Sequence, residues 1–242
     1  SIPVNPERNI IWGITYSTKF AKQLGLDQQK TFEAILDDLK PKKIRLIAYW
    51  DEIEKEQNKF DFSETDWLIE KSGEYKTPII LIVGFKVPRW PECHIPDWTN
   101  NLGIEEKEKF VKRYIAKVIE RYKNNSIIEM WQVENEPHLL FGACPKRGNN
   151  YLKKEIGLVK LIDLKRPILI TDSGELGFWY KAAKMGDIFG TTMYRNVYTG
   201  ALGWLFGNIT YPLSPEYFRI KEKIIRFLIN DYGKRFIVIE LQ

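Results

Sequence analysis

Short apolar runs alternate with amphipathic stripes along this chain. Asn9 to Tyr16, Ile44 to Trp50, Pro78 to Val83, Ile127 to about Glu134, Pro167 to Asp172, Ile188 to Tyr194 and Arg235 to Glu240 each read as a strand. The third run is apolar at every position, the pattern of a strand buried on both faces in a parallel sheet. Between the runs the period becomes helical. Phe32, Ile35, Leu36 and Leu39 fall at i, i+3, i+4 and i+7 behind a capping Asp27. Phe110, Tyr114, Ile115, Val118 and Tyr122 share one stripe of a long helix from about Ile104 to Tyr122. Further helices are expected from Ser63, with Asp66 three residues on, from Tyr151 to Leu164, and from Gly177 to Met185. The last begins at Ser214-Pro215, a cap and first-turn proline, and presents Ile220, Ile224, Phe227 and Leu228 before Gly233.

Seven strands with helices between them predict an α/β fold, a (β/α)8 TIM barrel forming a single catalytic domain over residues 1–242. No G-x-G-x-x-G or P-loop follows the first strand, which argues against an open doubly wound sheet. The count leaves the eighth β/α unit missing, since the chain stops two residues past Glu240. The expectation is that the natural polypeptide runs on to close the barrel, or that something else covers its open edges.

Hydrophobic residues at 44% and charged residues at 29% match an ordinary globular protein, but aromatics reach 14% with eight Trp. Trp50, Trp90, Trp98 and Trp204 fall at strand ends or in loops, where a ring can stack on a sugar. The net charge of +5 is spread over helices beside acidic residues, and no basic block is interleaved with aromatics, so nucleic acid is not expected as a partner. No apolar stretch is long enough for a membrane span, and Ser1 to Arg8 lacks the layout of a signal peptide. A monomer is expected. Cys93 and Cys144 stand outside any C-x-x-C pattern and there are two histidines, so neither a zinc site nor any other cofactor is expected.

The chemistry gathers where strands end. Glu134 and Glu136 follow the fourth apolar run and Glu240 closes the seventh, with Tyr16, Arg45, Tyr49, Trp50, Lys86, Asp172 and Tyr194 near the others. Parallel barrels keep their chemistry at this end of the strands. Two carboxylates presented there are what glycosidic cleavage requires: a proton donor and a nucleophile or base. Residue spacing alone does not choose between Glu134 and Glu136.

Asn135-Glu136-Pro137 together with Glu240 resembles the signature of the retaining glycoside hydrolases of clan A. The chain is similar to cellulase-like, family 5-like members and to β-galactosidase-like ones. Arg45, Tyr194, the stretch Phe60 to Ser63 and the stretch Pro88 to His94 fit the same pattern. The resemblance implies an enzyme acting on a β-linked carbohydrate by double displacement, with Glu136 as acid/base and Glu240 as nucleophile. It also implies that Asn135 binds the sugar 2-hydroxyl and that Arg45 and Tyr194 orient Glu240. Trp50, Lys86, Trp90 and His94 complete the candidate substrate-binding set. The sequence departs from the pattern at the third strand, where Gly84-Phe-Lys86 replaces a histidine, and at the sixth, with Met193-Tyr194. The eighth-strand tryptophan of the pattern has no counterpart.

Cys93 follows the third strand and Cys144 the fourth, neighbouring loops at one end of a parallel barrel, so a disulfide and an extracytoplasmic location are expected, against the alternative of two free thiols. Two other readings stay open. One is a Mg²⁺-dependent barrel enzyme using Glu134, Glu136, Asp172 and Glu175; the other is a barrel that binds glycan without cleaving it.

Overall fold

A computed structural model describes residues 10–148, 150–194, 196–198, 208–210 and 214–241. The expected strand start at Asn9, the segment Ser1 to Arg8 and Trp204 lie outside the described residues. Strands β1 (Gly13–Thr15), β2 (Lys43–Ile47), β3 (Ile79–Val83), β4 (Ile128–Val133), β5 (Ile168–Asp172) and β6 (Ile188–Met193) pair in sequence order, all parallel. A short antiparallel hairpin, β7 (Asn196–Tyr198) and β8 (Asn208–Thr210), forms its own sheet. Strand β9 (Arg235–Leu241) then joins β6 in parallel as the seventh stave. The result is a nearly closed seven-stranded TIM-like barrel among the described residues.

The helices are α1 (Thr18–Gln23), α2 (Gln28–Ala34), α3 (Trp50–Ile53), α4 (Ser63–Glu74), α5 (Ile104–Tyr122), α6 (Tyr151–Ile162), α7 (Tyr180–Met185) and α8 (Pro215–Ile229). Asp27 caps α2 as its sequence position suggests, Oδ1 accepting from the Lys30 amide at 2.8 Å. Four of the five residues of the expected α5 stripe, Tyr114, Ile115, Val118 and Tyr122, are buried, and Phe110 is partly buried against the same core. All five residues of β3 are buried. Inside the barrel, Ile80, Met130, Leu169 and Ile188 make an apolar layer with Ile237 and Ile239 packed against it. Along β4 and β5 the next inward positions up are Gln132 and Thr171, so the interior turns polar toward the C-terminal ends of the strands.

Two expectations are corrected. The second strand ends at Ile47, and Trp50 opens the short helix α3. The stripe Ile220, Ile224, Phe227 and Leu228 of α8 is exposed, while Phe218 and Ile225 are buried. That helix precedes β9, which has β6 as its single strand neighbour among the described residues, so nothing described covers its apolar face. The other edge strand, β1, is likewise paired on one side. A cavity of about 180 Å³ lies in the seam, lined by Ile11, Gly13 and Thr15 on one side and Ile237, Val238 and Ile239 on the other. No helix of the described residues is long and apolar enough to cross a membrane.

Candidate active site

The chain leaves β4 at Val133 and turns sharply. Glu134 (φ 62°) and Glu136 (φ 45°) both take left-handed backbone, so the alternation of a strand no longer applies and the two carboxyls part company. Glu134 is fully buried. It accepts from the Phe85 amide at 2.9 Å and the Lys86 amide at 2.5 Å, and pairs with Arg147 at 2.6 Å. Arg147 in turn holds Glu155 on α6. Gly84 (φ 136°) makes room for this, since a Cβ there would stand 2.8 Å from the Glu134 carboxyl carbon. Glu134 therefore staples the β4 turn to the loop after β3, with its acceptor oxygens committed to the protein.

Glu136 faces the mouth. Its amide donates to Thr171 Oγ1 at 2.9 Å, and its Oε1 accepts from Thr192 Oγ1 at 3.1 Å. Burial, reinforced by the negative charge of Glu240, pushes its carboxyl up to about 7. Glu240 is reached by a register shift between β6 and β9 after Thr191, which sets it opposite Thr192. The same threonine thus lies beside one glutamate along the backbone and donates to the other. Burial alone would also raise Glu240, but the charge of Arg45 and hydrogen bonds from Tyr194 and Arg45 hold it below the ordinary carboxylate value. Arg45 Nη1 meets Glu240 Oε1 at 2.5 Å and the Tyr194 hydroxyl donates to Oε2.

Arg45 sits within β2 rather than at its tip and is buried inside the barrel. Besides Glu240, its fork reaches Gln132 Oε1 from Nε at 2.8 Å and Asn135 Oδ1 from Nη2 at 2.7 Å. A guanidinium only donates, so Asn135 must turn its oxygen to Arg45 and its amide nitrogen elsewhere. Tyr194 is fixed in turn by Glu175, whose carboxylate accepts from the Tyr194 backbone amide at 2.5 Å.

The remaining candidates divide. Lys86 donates from Nζ to the carbonyls of Glu136 and Leu139, both at 3.0 Å, so its ammonium braces the Glu136 turn. His94 is buried, its Nε2 donating to the Arg89 carbonyl at 3.1 Å and its ring set edge-on to Tyr49. Both have protein partners at the loops that frame the mouth. Trp50 has no exposed surface and packs between Tyr114 and Trp98, with Nε1 on Glu54, so it offers no sugar platform. Trp98 is also tied inward, to the Glu54 carbonyl. Trp90 is 68% exposed, and Phe141 is the ring beside it among the described residues. Tyr16 donates to the Gln28 carbonyl at 2.5 Å, away from the mouth. A disulfide joins Cys93 to Cys144 with Cα atoms 5.2 Å apart, tying the loop after β3 to the loop after β4.

One buried acid at the mouth escaped the sequence reading. Glu92 precedes Cys93, and burial pushes its carboxyl up to about 7, with Lys86, Glu240 and Asn135 around it. The four carboxylates weighed as Mg²⁺ ligands are engaged separately. Glu134 is on Arg147, Asp172 accepts from the Ser173 and Trp179 amides, Glu175 holds Tyr194 and Glu136 faces Thr192. Among the described residues no three His, Cys, Asp or Glu side chains gather as a metal shell.

A family model described as glycosyl hydrolase family 10 matches residues 27–147, half of the chain. The chain belongs to that family. The match runs from the cap of α2 through β4 and includes Arg45, Asn135 and Glu136. Over 91 residues the family 10 chain is 26% identical to mannan endo-1,4-beta-mannosidase A of Emericella nidulans, covering 38% of this chain and 23% of that one. Among solved structures, GH5_18 from Streptomyces cattleya in complex with GlcNAc aligns with a TM-score of 0.60 at 13% identity, over 75% of this chain and 50% of that one. Xylanase 10B from Thermotoga petrophila in complex with xylobiose aligns with a TM-score of 0.55 at 16% identity, over 95% and 80%. At such identities the structures share the fold. The chain spans about a quarter of the mannosidase and half of the Streptomyces protein.

Proposed function

We propose that this family 10 chain is a glycosidase that cleaves β-linked oligo- or polysaccharides by retaining double displacement. The observation that carries the reading is the opposite tuning of two glutamates at one mouth. Glu136 is pushed toward its protonated form, and Glu240 is held ionised by Arg45 and Tyr194. Pairs of carboxyls with environments pushing them apart are the mark of an acid and a nucleophile.

In the first step Glu136 gives its proton to the leaving oxygen while Glu240 attacks the anomeric carbon, breaking the glycosidic bond and forming a glycosyl ester. In the second, Glu136, now ionised, takes a proton from water as that water attacks the same carbon and frees Glu240. This requires carboxyls about 5–5.5 Å apart. Asn135, with its oxygen fixed by Arg45, offers its amide nitrogen to the sugar 2-hydroxyl, and Trp90 supplies the exposed ring. The mannosidase and xylanase among the similar proteins make mannan and xylan the first polymers to try. The disulfide supports an extracytoplasmic location.

The test is a screen of 4-nitrophenyl β-glycosides, mannan and xylan with the wild type, Glu136→Gln and Glu240→Gln. Turnover by the wild type and loss of at least about 10³-fold in each variant are expected. Binding of an oligosaccharide without turnover would instead favour the glycan-binding barrel.

A further inference from the structure

The tripeptide after β5, Ser173-Gly174-Glu175, hydrogen-bonds neither of the two glutamates at the mouth and yet is linked to both. The Gly174 amide donates to Thr192 Oγ1 at 3.0 Å, which leaves the single proton of that hydroxyl for Glu136 Oε1 at 3.1 Å. The Glu175 carboxylate accepts from the Tyr194 amide at 2.5 Å, and the Tyr194 hydroxyl donates to Glu240. Each glutamate is thus one residue away from the same loop. That loop is set from outside the barrel. Lys221 on α8 donates from Nζ to the Gly174 carbonyl at 2.7 Å, and among the described residues no other donor reaches that oxygen. A Cβ on Gly174 would stand 1.8 Å from the Thr192 carbonyl oxygen and 2.9 Å from the Phe218 ring of α8, so the loop is wedged between β6 and that helix. The Lys221 ammonium lies 4.3 Å from the centroid of the Trp179 ring and 5.5 Å from that of Tyr217. Among the described residues it makes no ion pair within 4.0 Å. Burial pushes it down to about 8, with Asp172 and Glu175 as the acids that share its field, so its charge is held there at a cost in solvation.

We infer that Lys221 is a positioning residue for both glutamates, acting through the backbone of Gly174 although it touches neither. The inference rests on the glycosidase reading above. Without Lys221 the Gly174 amide no longer fixes the Thr192 hydroxyl, and Glu136 loses a donor that favours its ionised form. Glu175 shifts with its neighbour, Tyr194 loosens, and Glu240 loses a donor of the same kind. Both losses have one sign: each carboxyl becomes easier to protonate. The other charges at the mouth, Lys86 and Glu92 around Glu136 and Arg45 and Arg89 around Glu240, belong to β2 and the loop after β3 and stay in place. A lysine that merely braced the fold would change Tm and leave both carboxyls as they are.

Carbon NMR of labelled glutamates follows the titrations of Glu136 and Glu240 in the wild type and in Lys221→Met, which keeps the stem and loses the donor. Both titrations should move up by about 0.5–1 pH unit in the variant. Both limbs of kcat/KM on the 4-nitrophenyl β-glycoside that the wild type turns over fastest should follow, with the value at the optimum down about 10–100-fold. In a Thr192→Val background, Lys221→Met should still move Glu240 and should move Glu136 no further. A lower Tm with both titrations unmoved overturns the assignment, as does a Glu136 shift that persists in Thr192→Val. Should Lys221→Met not fold, Lys221→Gln, one bond shorter and uncharged, is read in the same terms. The NMR titrations need no turnover, so a wild type that hydrolyses no glycoside removes the glycosidase reading while the link from Lys221 to the two carboxyls is still decided. An active wild type whose titrations ignore Lys221 removes this inference alone.

Discussion

Glu136→Gln should make the protein more stable, by an amount that grows from about pH 4.5 and levels off above about pH 7. Glutamine mimics the protonated carboxyl: it keeps an oxygen for Thr192 and carries no charge to be repelled by Glu240. In the folded protein the Glu136 carboxyl titrates at about 7, against an ordinary 4.5, because it is buried and faces a second carboxylate. Below 4.5 the group is protonated in both the folded and the unfolded chain and contributes nothing to their difference. As pH rises from 4.5 through 7 the unfolded chain releases its proton first, so the folded wild type loses stability across that window. The gap corresponds to about 3 kcal/mol at pH 8.5, at about 1.36 kcal/mol per pH unit. The variant has no such penalty. Denaturant unfolding of both proteins at pH 4 and pH 8.5 reads the difference directly. Near-equal stability is expected at pH 4, and a variant advantage of about 3 kcal/mol at pH 8.5, or about 6–12 °C in Tm for a domain of this size. An equal gap at both pH values, or a wild type at least as stable as the variant at pH 8.5, would refute the reasoning.

Glu240→Gln removes the second cause of the Glu136 shift and leaves the burial, so Glu136 should titrate below 7 but above 4.5 by carbon NMR of labelled glutamates; an unmoved titration contradicts the pairing. Arg45→Met strips Glu240, Asn135 and Gln132 of a shared donor. It should cost about 3–5 kcal/mol in stability, and move the acid limb of kcat/KM to higher pH as Glu240 becomes easier to protonate; an unchanged limb would count against Arg45 as its counter-charge. Gly84→Ala puts a methyl 2.8 Å from the Glu134 carboxyl at a φ of 136°, so a stability loss of about 3 kcal/mol is expected and one under about 1 kcal/mol would show that Glu134 is not pinned there.

The barrel was legible because its signal is local. β3 is apolar at every position and α5 carries its stripe at helical spacing, and both fold as their patterns require. The catalytic candidates were legible because Asn135-Glu136-Pro137 and Glu240 sit at strand ends. What escaped depended on contacts between distant residues. Glu134 and Glu136 looked equivalent until the chain turned left-handed at both, sending one to Arg147 and the other to the mouth. Trp50 read as a strand-end ring because nothing in its vicinity announces that β2 stops at Ile47 and that helix α3 carries it into the core. Glu92 had no motif of its own; its burial follows from a tight loop, a disulfide and the missing side chain of Gly142. The exposed stripe of α8 shows the converse, a regular pattern whose covering surface is not among the described residues.

The central claim is that Glu240 becomes covalently bonded to sugar while Glu136 handles the proton. A 2-deoxy-2-fluoro β-glycoside with a dinitrophenyl leaving group, built on the sugar that the screen identifies, forms that ester quickly and releases it slowly. Intact mass and peptide mapping of the incubated wild type then locate the label. One fluoroglycosyl group per chain, on Glu240 in the peptide that follows Arg235, is the predicted result. A label on Glu136 or Glu92, or none from a protein that hydrolyses the parent glycoside, would contradict it.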